Sequence, residues 1–449
     1  MAQLTNVQDR LGRSGTAVPM TAVQRTYLRR AIVASTVGTV IEWYDYGLFA
    51  SASGLIFNRL FFPQLSHTAG ILASFATFGV GFFMRPVGGV VIGHIGDRFG
   101  RKPALIVTVV LMGLASAAVG CLPTYDQIGI WAPILLVVLR LLQGSGAGAE
   151  LAGAITLVAE YAPPKNRAIF TVFPMMATQF GLALAMLCFF VVGRLLPTDV
   201  VGWAWRIPFL LSIVLFAVAL YIRYHLEETP EYVVAMAKAR ARKEAQRVPI
   251  AELFRNNFKE VTTGFLAMVG SQAFNLVMNG FALSYMTNTL AMTANDSLIV
   301  LMIALISTCL CGPPAAAVSD RIGSWKVFFF GAAWSVAMAF PLFALIDTKN
   351  MLLGTIGVSV IYGVSWGCTG GAQGAFLSNL FPIRCRYSGI AMSRELSGAY
   401  IGGATPFIAT ALVAAYNGRP APVAVLLMGI GVVSMLAIWL GKHLARHTG

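Results

Sequence analysis

Gly93-His94-Ile95-Gly96-Asp97-Arg98-Phe99-Gly100-Arg101-Lys102 is a short charged turn set between long apolar runs, and its centre occurs twice. Asp97-Arg98-Phe99-Gly100 returns as Asp320-Arg321-Ile322-Gly323, 223 residues later. A second loop pattern, Pro163-Pro164-Lys165-Asn166-Arg167, returns as Pro382-Ile383-Arg384-Cys385-Arg386, 219 residues later. Either match alone is weak, because short basic loops after Gly-rich helices resemble one another by chance. Two matches at nearly one offset imply a duplicated chain, and six-plus-six duplication is the plan of alternating-access carriers.

The flanks of these loops are apolar. Of the 449 residues 57% are hydrophobic and 11% charged, against roughly 45–50% and about 25% in soluble globular proteins. A soluble enzyme is excluded on that ground, and the length of the apolar runs excludes a nucleic-acid binder despite a net charge of +14. A membrane span needs about 20 mostly apolar residues, since backbone groups in hydrocarbon must be satisfied within the helix. Twelve such runs are predicted, at 31–57, 70–93, 104–121, 131–159, 168–192, 203–223, 258–286, 297–318, 326–346, 351–380, 387–415 and 420–441. The first follows a polar leader and is too long for a signal-peptide core, so it reads as a retained span. The expectation is an all-α membrane protein of 12 transmembrane helices in two six-helix bundles with internal pseudo-symmetry. Its segments are 1–30, a cytoplasmic N-terminal segment; 31–223, the first bundle; 224–257, a charged cytoplasmic linker; and 258–449, the second bundle with a short tail.

Basic residues resist translocation and so report orientation. With both termini cytoplasmic, only Arg59, Arg194, Arg206, Lys349 and Arg419 fall outside, while Arg85, Arg140 and Arg394 lie within spans, which leaves 24 of the 32 Lys and Arg inside. The positive charge is therefore largely topology, and the bilayer is the expected surroundings. The six cysteines form no CxxC pair and read as small packing residues.

The loop Gly93–Lys102 resembles the signature of the major facilitator superfamily, Gly-x-x-x-Asp-Arg-x-Gly-Arg-(Arg/Lys). That resemblance implies a gating role for Gly93, Asp97, Arg98, Gly100, Arg101 and Lys102, with Asp320 and Arg321 as their repeat. The branch it looks like is the metabolite:proton symporters, which carry shikimate, 2-oxoglutarate, citrate, or proline and betaine. The resembling pieces are Val40-Ile41-Glu42-Trp43-Tyr44-Asp45-Tyr46, Phe83-Met84-Arg85-Pro86-Val87-Gly88-Gly89, Arg140-Leu141-Leu142-Gln143-Gly144, Trp205-Arg206-Ile207-Pro208-Phe209 and Glu228-Thr229-Pro230-Glu231. The first half is most similar to shikimate carriers, through Phe62-Pro63-Gln64 and Phe75-Ala76-Thr77-Phe78-Gly79-Val80-Gly81. In the second half, Met392-Ser393-Arg394-Glu395-Leu396 departs from their pattern.

Ionisable groups at membrane depth are costly and mark function by default. Glu42 and Asp45 lie three residues apart on one helical face. Arg140, Gln143 and Glu150 form a polar stripe along the fourth span. In the superfamily, spans 1, 4, 7 and 10 line the central cavity, which would bring the carboxylates toward Arg140. Such a pair offsets burial and makes a switch: a substrate anion that takes the arginine favours a proton on the carboxylate. Asp45, with Glu42 and Glu150 as further candidates, is assigned the coupled proton, and Arg140 the substrate carboxylate. A structural ion pair is the alternative, as is a turn-stabilising role for Glu150. Arg85 is read as gating or as approaching the headgroups.

Neutral groups complete the candidate site. Gln272, Asn275 and Asn279 share one face of the seventh span, suited either to ligand oxygens or to helix–helix bonds. Tyr362, Trp366 and Gln373 on the tenth could floor a ring-shaped substrate or simply pack. Tyr44, Gln143 and Arg394 join the substrate-binding set, Arg394 as a second anion contact or part of a local pair with Glu395. No GxxxxGK(S/T) loop and no spaced metal set occurs, so no cofactor or metal is expected and ATP is not the energy source. The expected function is a proton-coupled symporter of a small organic acid in the inner membrane, monomeric and not an enzyme. A zwitterion such as proline or betaine is the alternative substrate. A transporter-like receptor or membrane enzyme would need a sizeable soluble domain or a catalytic cluster.

Overall fold

The computed structural model describes residues 22–99, 101–148, 150–225, 255, 257–382 and 385–444, in which every regular element is a helix. The linker and leader fall largely outside these residues. The spanning helices are α1 (Ala22–Leu55), α2 (His67–Phe99), α3 (Arg101–Cys121), α4 (Trp131–Gly146, continued by Glu150–Tyr161), α5 (Arg167–Leu195) and α6 (Arg206–His225) in the first half. The second half supplies α7 (Phe258–Thr289), α8 (Ala294–Ile322), α9 (Ser324–Ala337 with Ala339–Asp347), α10 (Met351–Leu380), α11 (Arg386–Ala415) and α12 (Ala421–Leu444). Nine spans among the described residues are long and apolar enough to cross a membrane, ten with the two parts of α9 taken as one. The remaining two are α1, diluted by its charges, and α3, whose described apolar part is Ile106–Cys121. Large apolar side chains such as Leu114, Leu195, Leu310 and Leu352 stand exposed on the outer faces, as a lipid-facing belt requires.

Helix ends follow local chemistry. Asn350 caps α10 by accepting from the backbone N–H groups of Leu352 and Leu353, and Thr293 caps α8 through Asp296. The described part of α1 reaches nine residues ahead of the apolar run, through the exposed Arg25, Arg29 and Arg30. α4 breaks after Gly146, so the expected stripe from Arg140 to Glu150 is interrupted and Glu150 opens a separate segment. α9 bends by 46° at Met338.

Packing displays the duplication. In the first half α1 lies on α5, α2 on α4 and α3 on α6; in the second α7 lies on α11, α8 on α10 and α9 on α12. Between halves, α2 meets α11 and α5 meets α8, which are corresponding pairs with the halves exchanged. The α2–α4 seam is glycine-built: a Cβ at Gly88, Gly144 or Gly148 would overlap the carbonyl oxygens of Ser145, Gly81 and Arg85 respectively. That contact sets Arg140 beside Gly81, where a Cβ would come within 2.5 Å of the arginine Nε.

Both ends are bridged between the bundles. At the end where the described α1 starts and α12 finishes, the termini end, the Asp320 carboxylate on α8 accepts from the N–H groups of Ala168 and Ile169 at 2.8 and 3.0 Å. There it caps the start of α5, where a negative charge meets the helix dipole, and Arg167 donates to Asn379 of α10 at 2.8 Å. At the far end, Asn288 of α7 donates to the Gly54 carbonyl of α1 at 3.0 Å. Of the gating loop, the backbone is helical to Phe99 and again from Arg101, but the side chains of Asp97, Arg98, Arg101 and Lys102, and the conformation of Gly100, lie outside the described residues, as does the surface of Gly93.

Candidate functional site

The described residues hold four buried polar groups, one inside the first bundle and three at or across the contact between the bundles. The first lies inside the first bundle and is a chain of charge-assisted hydrogen bonds. Asp45 of α1 accepts from the Ser116 hydroxyl of α3 through one oxygen and from the Gln143 amide of α4 through the other. The Gln143 amide oxygen in turn accepts from Arg140 Nη1. Arg140 also donates from Nε to the Phe78 carbonyl of α2 at 3.3 Å. Its guanidinium carbon lies 4.4 Å from the Phe49 ring centroid, 4.6 Å from that of Tyr46 and 5.0 Å from that of Phe78. Those ring faces supply the cation–π attraction that makes a buried arginine tolerable. Its Nη2 is buried with no partner among the described residues. Asp45 and Arg140 thus communicate through Gln143 instead of touching, a correction to the direct pairing expected from the family.

Glu42 goes elsewhere. Residues three apart on a helix differ by about 60° around its axis, enough here to aim Glu42 at α2 while Asp45 aims at α3 and α4. Glu42 Oε1 accepts from Arg85 Nη2 at 2.7 Å, and Arg85 Nε lies 2.9 Å from Glu395 Oε2 on α11. Arg85 also donates to the Ala147 carbonyl at 3.1 Å and sits 4.9 Å from the Tyr46 ring centroid. It is therefore a buried cross-bundle cation, not a headgroup anchor. Glu150 lines a small cleft together with Glu42, among Ile41, Val109, Met112 and Phe216.

The third group joins the bundles through neutral amides. Asn275 Oδ1 on α7 accepts from Gln179 Nε2 of α5 at 3.0 Å and from Asn279 Nδ2 at 2.9 Å, and lies 2.5 Å from the Tyr362 hydroxyl of α10. Asn279 also donates to that hydroxyl at 3.0 Å. Asn275 Nδ2 and Trp366 Nε1 are buried donors with no partner among the described residues. The fourth group is Arg394 of α11, which donates to Gln373 Oε1 of α10 at 3.3 Å beside the Met175 sulfur of α5.

Two residues of the expected set stand apart. Tyr44 donates its hydroxyl to the Pro208 carbonyl at 2.9 Å, inside the first bundle against α6. Gln272 lies against Gly398 of α11, away from the amide cluster. Three participants went unnoticed in the sequence: Ser116, Gln179 and Glu395 as an Arg85 partner. Gln179 carried a signal, being an amide in the middle of the apolar run 168–192. Ser116 carried none, because a serine in a span is ordinary.

Two pseudo-symmetric six-helix bundles meeting along buried polar groups, in a helical membrane protein, define a secondary carrier. The comparisons place it more closely. The Sugar (and other) transporter family matches over residues 30–248. The chain is 35% identical to the shikimate transporter of Escherichia coli (strain K12), over 93% of this chain and 95% of that one. It is 33% identical to an inner membrane metabolite transport protein of the same organism, over 93% and 94%. A putative proline/betaine transporter of Staphylococcus aureus (strain COL) is 30% identical over 91% and 87%. Among solved structures, the crystal structure of a D-xylose-proton symporter matches with a TM-score of 0.72 at 19% identity, over 92% of this chain and 97% of that one. The chain belongs to the major facilitator superfamily, in its branch of metabolite transporters, and is a multi-pass membrane transporter, not an enzyme.

Proposed function

We propose that this chain is a proton-coupled symporter that imports a small organic acid, a cyclic or aromatic carboxylate such as shikimate, by alternating access between its two bundles. The observation that carries this reading is the Asp45–Gln143–Arg140 chain, which ends in a buried guanidinium nitrogen with no partner among the described residues. An anion presented to Arg140 takes Nη2 and competes with Gln143 for Nη1, in the fork geometry that suits a carboxylate. The Gln143 amide then loses the partner that aligns it on Asp45, and a second negative charge lies close by. Both changes favour a proton on Asp45, so proton and substrate bind with positive coupling.

Asn275, Asn279, Tyr362 and Gln179 suit hydroxyl recognition, since each can donate or accept; Trp366 stands one helical turn from Tyr362 on α10, and Arg394 with Gln373 offers a separate second anion contact beside Met175. The Lys and Arg bias puts the end carrying the termini in the cytoplasm, and the 33% identical inner membrane relative supports that membrane as the site. The relatives support the class of cargo: one is a shikimate transporter, another a putative proline/betaine transporter.

The test is uptake by purified protein in proteoliposomes of labelled shikimate, an aromatic carboxylate, 2-oxoglutarate, citrate and betaine, with and without an inward proton gradient. Accumulation of a carboxylate that collapses with a protonophore is the expected result. Betaine uptake alone would move the assignment to a zwitterion, and gradient-independent uptake would remove the coupling.

A further inference from the structure

The Glu42, Arg85 and Glu395 group has no part in the coupling chain described above, yet it joins the two bundles through full charges. Arg85 of α2 is paired within its own bundle to Glu42 at 2.7 Å and across the interface to Glu395 at 2.9 Å. Side-chain exposure is 4% for Arg85, 1% for Glu42 and 8% for Glu395. The second oxygen of Glu42 is buried with no partner among the described residues. Among the described residues, the other charged or titratable groups facing the cluster are Tyr46 of α1, Arg140 and Glu150 of α4, and Arg394 of α11. Two carboxylates, Glu42 and Glu395, thus share the one guanidinium of Arg85.

Position gives the cluster its consequence. Glu395 lies nine residues into α11 from Arg386, so it sits in the half of the molecule nearer the termini. Opening that end carries α11 away from α2 and must part Arg85 from Glu395, while Glu42 moves with Arg85. Parting two ionised partners in a dry interface is costly, and parting Arg85 from a neutral carboxyl is not.

We propose that Glu42, Arg85 and Glu395 form a proton-dependent latch between the bundles. Ionised Glu395 holds α11 to Arg85 and keeps the termini end shut. A proton bound at Glu395 breaks that ion pair without leaving Arg85 uncompensated, because Glu42 keeps it. Once the end opens, Glu395 meets water, returns the proton to it as hydronium, and is again able to close on Arg85. This rests on the symport reading and adds a second proton station to it, one that prevents opening by an unprotonated carrier.

The test uses full-length protein with its six native cysteines replaced and spin labels at Val91 of α2 and Ile322 of α8, both exposed near the termini end. Distances are measured in lipid nanodiscs without substrate, alongside shikimate and betaine uptake by the same proteins in proteoliposomes. For the parent protein the long-distance population should rise about tenfold between about pH 8 and about pH 5.5. Glu395→Gln should hold that population high at both pH values, and Glu395→Asp should restore the response. Glu42→Gln should act in the opposite direction, because Arg85 is left wholly to Glu395, and keep the end shut to lower pH. Opposite signs from two neutralised carboxylates are not what a merely destabilised interface gives. A pH-independent parent distance, or a Glu395→Gln protein that keeps the parent response, overturns the latch. Proton-driven uptake alongside either result leaves the symport reading standing; a pH-dependent latch in a protein whose uptake ignores the gradient removes that reading alone.

Discussion

The two bundles share one scaffold but fill it with different chemistry. In the first, Asp45, Arg140 and Glu42 are ionisable groups fixed by Ser116, Gln143 and Arg85. In the second, Asn275, Asn279 and Tyr362 offer neutral donors and acceptors that reach across to Gln179. Helix pairing is conserved between the halves, so the duplicated backbone constrains packing and leaves the interior free to diverge. On the proposed reading the work divides: Asp45 and Arg140 of the first bundle capture proton and anion, and the amides of the second discriminate among anions. Charge alone cannot discriminate, because any carboxylate satisfies a guanidinium.

That division can be broken at several points. Arg140→Ala carries the largest expected effect, a loss of carboxylate uptake of about a hundredfold or more, since a buried charge partner is worth about 3–5 kcal/mol. Arg140→Lys should recover little of it, as an ammonium cannot serve Gln143 and a carboxylate in one plane. Initial rates in proteoliposomes check both. Next, Gly88→Ala should lower the midpoint of thermal unfolding, because its Cβ meets the Ser145 carbonyl and overpacking costs about 1–3 kcal/mol. Tyr362→Phe should raise the KM by up to about tenfold with little change in maximal rate, the worth of about one hydrogen bond. It should do so more for a hydroxylated ring acid than for an unhydroxylated one, and equal effects on both would deny the amide cluster its discriminating role. Smallest is Tyr44→Phe, which loses a bond to the Pro208 carbonyl. It should cost about 1 kcal/mol of stability and leave transport of every panel member unchanged.

Much of the fold was legible because hydrocarbon forces long apolar helices whatever the tertiary context. The tenth run, 351–380, coincides with Met351–Leu380, where Asn350 marks the start and Phe381-Pro382 the stop. The break in α4 was not legible, since Gly146, Ala147 and Gly148 read as well as helix as they do as hinge. For the site, the identities of the buried charges were visible and their partners were not. Glu42 and Asp45 share a face in the sequence, and which neighbour each meets depends on how close α2 and α4 approach, a distance set by glycines on both helices. Arg85 illustrates the same limit, because its second carboxylate lies on α11, 310 residues away in the chain.

The central claim is that Asp45 carries the coupled proton and Arg140 the anion. The most direct measurement compares two assays on Asp45→Asn in proteoliposomes loaded with the transported carboxylate: accumulation driven by a proton gradient, and exchange of labelled for unlabelled substrate at equal pH. The expected result is accumulation lost and exchange retained, because Asn keeps a hydrogen-bonding partner for Gln143 but binds no proton. Equal loss of both, or accumulation that survives, would contradict the claim.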